Sequence, residues 1–175
     1  ICTDKNEYKL GIWIRDSVQG LGTVTYITAD NKFGALGHGI HYIDIDELLE
    51  IGEGRVYSTE ILRIEKGRKG SPGGMEGMIV YNRYNILGNI EENTELGVYG
   101  TIRKLDSLTE KQTAVPVCLK SDVKMGDAVI RCCVDDEVKE YDIEIERINH
   151  FALEANKGLV IKIVDEELID VTGGI

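Results

Sequence analysis

The stretch FGALGHGI, Phe33 to Ile40, sets a histidine between two glycines, and imidazole in such a place suits three kinds of chemistry. It can act as a general base, because its unperturbed pKa lies near neutrality. It can ligate a metal, or it can be a hydrogen-bonded polar residue of a turn. His38 is therefore the first candidate. His41 follows three residues later, but the glycines oppose the helix that an H-x-x-H metal pair would need, and no third ligand is spaced nearby. Neither a metal nor a cofactor is expected. His150, in ERINHFA, reads as a partly buried polar residue at a strand end.

A histidine base in a hydrolase needs a carboxylate that holds its tautomer and steadies the imidazolium. Among 31 acidic residues, Asp165 stands out because it ends the apolar run VIKIVD, where a core edge can present a side chain rigidly. The EEL that follows it fits a helix N-cap equally well. Ser71, in GRKGSPGG, invites readings as a nucleophile or part of a phosphate loop. The Walker pattern fails there, since Gly70 is followed by serine rather than lysine, and serine before proline reads as a turn residue. The four cysteines, Cys2, Cys118, Cys132 and Cys133, have neither zinc-knuckle spacing nor the density of a disulfide scaffold, so they read as buried thiols.

The elements that must position these residues are short strands. Twenty glycines, two prolines and many brief runs of Val, Ile, Thr and Tyr predict a β-rich chain with frequent turns. Strands are expected near Leu10 to Arg15, Leu21 to Thr28 and Phe33 to Leu36, with Asp30-Asn31 as a turn. Asp44 to Leu49 reads as a helical turn, GRVYSTEILRIEKG as a strand pair and GRKGSPGG as an exposed loop. Two or three further strands follow, with Glu91 to Thr94 as a turn, and then VPVCLK, DAVIRCCV and EVKEYDIEIERI. Gly126-Asp127 and Asp135-Asp136 read as hairpin turns. In the last run Tyr141, Ile143 and Ile145 alternate with Asp142, Glu144 and Glu146, the period of a strand with one face buried. LVIKIV, a strand, and a short acidic helical turn close the chain. An all-β sandwich or pair of antiparallel barrels follows, in one domain of 175 residues.

A net charge of −11 would repel phosphates and anionic headgroups, so nucleic acid and membrane surfaces are not expected partners. No apolar run is long enough to span a bilayer, and no signal-peptide pattern opens the chain.

Taken together, KLGIWIRDSVQGLGTVTY, FGALGHGI, RKGSPGG, ILGNIEENTELGVYG and VIKIVDEELIDVTGGI resemble the stage IV sporulation protein B peptidases of endospore-forming bacteria. The likeness implies a serine endopeptidase with a trypsin-like double β-barrel and catalytic residues in the order His, Asp, Ser. It assigns His38 as base and Asp165 as orienter. The family's nucleophile lies in a G-M-S-G-S-P-like stretch shortly after T-G-G-I, so the serine is expected after Ile175, outside residues 1–175. By the same likeness residues 1–175 are the peptidase domain short of its nucleophile loop and last strands, without the PDZ domain and membrane anchor that precede it.

The resemblance further implies a protein or peptide substrate, namely a regulator of a membrane-embedded protease whose cleavage leads to sigma factor activation. The setting would be the space between forespore and mother cell, with self-cleavage as a family trait. An open final barrel would expose a strand edge and favour self-association. The alternative is a non-catalytic β-barrel that binds a peptide or regulator by strand addition. A metal-dependent hydrolase using His38 and His41 ranks last.

Overall fold

Brief runs of β-branched and aromatic residues between turn formers give antiparallel ladders throughout. The computed structural model describes residues 2–4, 7–9, 18–42, 44–104, 113–134, 137–150 and 158–174, the first two segments and residue 137 through their backbone. The strand expected near Leu10 to Arg15 and the turn at Asp135-Asp136 lie outside these residues.

β1 (Cys2–Asp4) pairs with β2 (Glu7–Lys9). The main sheet joins β3 (Val24–Ile27), β4 (Lys32–Ala35), β5 (Gly54–Tyr57), β8 (Ile86–Thr94) and β9 (Gly97–Ile102) in the order β3-β4-β9-β8-β5. Between them in sequence, β6 (Thr59–Glu65) and β7 (Gly74–Ile79) form a hairpin. β10 (Gly126–Val134), β11 (Glu137–Ile148) and β12 (Leu159–Ile163) form a third sheet, followed by the helix α1 (Glu166–Thr172). All the pairings are antiparallel, as expected of an all-β chain. Among the described residues no ladder bond joins β3 to β5, so the five-stranded ladder is an open sheet with those two strands as its edges.

The main sheet has a polar face and an apolar face because its residues alternate. Lys32, Thr101, Asn89 and Arg55 stand opposite one another in register across four strands. On that side Glu91 accepts from Lys32 Nζ at 2.8 Å and from Thr101 Oγ1 at 2.5 Å. A core cluster of Phe33, 2% exposed, Ile102, 1% exposed, and Leu87 packs with Val56 and Ile90. Burial of each such large side chain contributes about 1.5–3 kcal/mol.

A separate core gathers Val134, Tyr141 and Leu168 with Ile64, Ile130 and Ile163, so β6, the third sheet and α1 share it. The expected alternation holds here: Tyr141 and Ile143 are buried, while Asp142 and Glu146 face water. Tyr141 Oη is buried with no hydrogen-bond partner among the described residues.

The structure corrects several local expectations. Glu91 to Thr94 continue β8, and the turn falls at Glu95-Leu96. Polar residues on the wet face of a strand had the composition of a turn. Gly126-Asp127 open β10 rather than turning. Val115 to Lys120 join no strand, and a 3₁₀ turn occupies Lys120–Asp122. Asp44 to Leu49 is no helix but the return arm of a loop, with Leu49 N–H donating to Ile40 O and Tyr42 N–H to Glu47 O. Cys118, expected buried, and His150, expected partly buried, are both exposed.

Candidate functional site

His38 sits on the loop that leaves β4, and two features of the backbone put it there. Leu36 and Gly37 both take positive φ, 70° and 86°, which turns the chain sharply after Ala35. Gly39, on the other side, is buried against its neighbours: a Cβ there would lie 2.5 Å from Leu48 Cδ1 and 2.7 Å from Thr94 O. The two flanking glycines thus do different work. Gly37 supplies the conformation, Gly39 the close approach that lays the loop against β8.

The imidazole of His38 is exposed, and its Nδ1 lies 2.9 Å from Gly39 O. A carbonyl oxygen only accepts, so Nδ1 must carry the proton. In the neutral ring that leaves Nε2 with an unprotonated lone pair, the state required of a general base.

Asn93, on β8, fixes the same loop. Its Oδ1 accepts from Ile40 N–H at 2.9 Å, and its Nδ2 donates to Ile40 O at 2.8 Å and to Leu49 O at 2.9 Å. One side-chain amide therefore ties both arms of the 40–49 loop to the sheet. Sequence reasoning missed Asn93, since its partners lie 53 and 44 residues away and nothing local distinguishes it from other strand-end asparagines.

His41 is also on this loop, with Nε2 3.3 Å from Glu95 Oε2 and a bridge to Leu48 in the backbone. Among the described residues no group of three His, Cys, Asp or Glu side chains could hold a metal. Ser71 closes a tight turn in which Arg68 and Ser71 exchange both backbone hydrogen bonds at 2.8 Å. Burial, and then the neighbouring Cys133, push the Cys132 thiol above its ordinary value, so it is a poor nucleophile at neutral pH.

Asp165 follows β12 and is the N-cap of α1. Its Oδ1 accepts from Leu168 N–H at 3.1 Å, and its own N–H donates to Asp142 O at 3.2 Å. Glu166 and Glu167 in the first turn suit the positive end of the helix. The other carboxylate oxygen, Oδ2, accepts no hydrogen bond among the described residues, so the capping carboxylate keeps an acceptor in reserve. No hydrogen bond or ion pair joins His38 to Asp165: the imidazole N–H is held by Gly39 and the carboxylate by Leu168.

A family model described as SpoIVB peptidase S55 matches residues 6–175. No curated protein and no solved structure matches the chain.

Proposed function

The chain belongs to the SpoIVB peptidase S55 family, and from that premise we propose that it is a serine endopeptidase domain of sporulation in which His38 is the general base and Asp165 its orienter. Family membership implies a polypeptide substrate. The nucleophile in this reading is a serine that follows Ile175. The substrate is a regulator of a membrane-embedded protease, cut in the space between forespore and mother cell, and the enzyme also cuts itself.

The observation that carries the reading is the His38 ring, exposed on an anchored loop with its Nδ1 2.9 Å from Gly39 O. Serine Oγ attacks the scissile carbonyl as its proton passes to His38 Nε2, and the same proton then goes to the leaving amine. Asp165 acts in the assembled site by taking over the Nδ1–H from Gly39 O through Oδ2. Its Oδ1 stays on the Leu168 N–H, so the helix cap itself would hold the carboxylate still. Charge then develops beside a fixed anion, which stabilises the imidazolium.

A fluorophosphonate, which labels only an activated serine, tests this on full-length protein by intact mass. One added label is expected, with the labelling rate falling by at least about a thousandfold in His38→Ala. No label in the parent protein, or labelling indifferent to His38, would refute the assignment and favour a peptide-binding module.

A further inference from the structure

A concavity of about 590 Å³ lies on the β5 side of the main sheet, away from the His38 loop in sequence and lined by Glu53, Arg55, Arg83, Asn89, Arg103 and Lys104 among others. Four cationic side chains and one carboxylate give it a formal charge of +3, in a chain whose net charge is −11. Acidic residues outnumber basic ones 31 to 20, so carboxylates to neutralise this cluster were plentiful, yet among the described residues that line it Glu53 is the one carboxylate, paired with Arg55 at 2.6 Å.

Several backbone features gather the cations. Arg55 and Asn89 face each other in register on β5 and β8. Arg103 follows the last residue of β9, its N–H held by Leu87 O at 2.7 Å. Arg83 stands in the turn before β8, where Asn82 Oδ1 accepts from both Tyr84 and Asn85 N–H at 2.9 Å. Lys104 Nζ donates to Tyr84 O. Among the described residues no hydrogen bond or ion pair engages the guanidinium of Arg83 or of Arg103. Two unpaired guanidiniums around one hollow repel each other, and a bound anion relieves that cost. Their planar donor forks match carboxylates in two-point contact.

The shape of the site favours a peptide over a bilayer. β5 is an edge strand with no second neighbour among the described residues, so its outer backbone groups can take an added strand. A flat anionic membrane would meet not the hollow alone but a wider surface of a chain whose net charge is −11. A narrow segment meets the hollow alone. We propose that this cleft is a docking site for an extended acidic polypeptide segment of a partner protein, its carboxylates on Arg83 and Arg103 and its backbone along β5.

The test is fluorescence anisotropy of labelled octaglutamate on the full-length protein, with labelled octaglutamine as comparison. Octaglutamate should bind and octaglutamine should not. The double variant Arg83→Gln/Arg103→Gln should lose about tenfold or more in affinity, as expected for charge-assisted contacts. A control double variant, Lys124→Gln/Lys162→Gln, makes the same change in net charge at two exposed lysines and should leave affinity within about twofold if the attraction is local rather than global.

Equal loss in both double variants would overturn the proposal, as would equal binding of octaglutamine. Capture of phosphatidylglycerol vesicles through Arg83 and Arg103, with no peptide binding, would also overturn it. The readout needs no nucleophile. A protein that takes no fluorophosphonate yet binds octaglutamate through these arginines would sink the peptidase reading and leave this site standing.

Discussion

At the scale of single residues, the His38 loop depends on Asn93 more than on anything near it in sequence. Removing the amide in Asn93→Ala leaves Ile40 N–H, Ile40 O and Leu49 O without that partner. A loss of about 2–4 kcal/mol is expected, since partly buried groups left unpaired cost more than the bonds contribute. Asn93→Asp keeps the acceptor for Ile40 N–H but sets a carboxylate oxygen against the two carbonyls that the amide nitrogen served, so it should cost at least as much as the alanine. Urea unfolding of the two variants measures this, and a loss under about 1 kcal/mol for the alanine would show that other contacts hold the loop. The glycine-flanked histidine was legible as a candidate because a strained turn and an imidazole are both local facts. Its tautomer was not, because the Gly39 carbonyl orients the ring only once the loop is folded.

Among the elements, α1 tests two roles of one carboxylate. Asp165→Ala removes the cap from Leu168 N–H and should cost about 1 kcal/mol, whereas Asp165→Asn, an equally good cap, should stay within a few tenths. If Asp165 also steadies His38, the asparagine variant should nonetheless lose up to about four orders of magnitude in labelling or turnover. Matching thermal unfolding with unequal activity would separate the roles; full activity in Asp165→Asn would confine the residue to capping.

Both readings of Asp165 were present in the sequence, the apolar strand before it and EEL after it. β11 was legible for a related reason: its alternation runs unbroken from Tyr141 to Glu146. By contrast, Glu91 to Thr94 looked like a turn because polar residues on the wet side of a strand carry no mark of their partner. Val115 and Val117 show the converse, strand-forming residues that are 66% and 91% exposed and pair with nothing among the described residues. Propensity proposes a strand, and only a neighbouring ladder makes one.

For the whole molecule, the third sheet and its helix set an alkaline limit. Burial, then Cys133, raise the Cys132 thiol from 9.0, and burial, then Glu167, raise the Tyr141 phenol from 10.0. Both are neutral groups whose folded pKa lies above the unfolded one. Their contribution is complete below the unfolded value and is lost as pH rises through the folded one, because the unfolded chain then releases protons that the folded chain retains. The urea midpoint should therefore decline as pH rises past 9.0, first through Cys132 and then, past 10.0, through Tyr141. Cys132→Ala should remove the earlier part of that decline, and an unchanged profile would assign it to other groups. The all-β class was legible from composition and turn spacing. The division into two cores was not, because Ile64 joins Val134, Tyr141 and Leu168 across a sequence gap that no local pattern bridges.

The order of the main sheet also bears on how the protein is made. β4, which leads into the His38 loop, is flanked by β9 at its centre, and the loop's clamp on β8 is synthesised 53 residues after Ile40. A nascent chain emerging from the ribosome therefore carries His38 well before it carries either the strand or the amide that holds it. Until β9 has paired with β4 and β8 with β9, the backbone around the imidazole lacks the Asn93 clamp, and the His38 loop reaches its final posture only with the later half of the sheet.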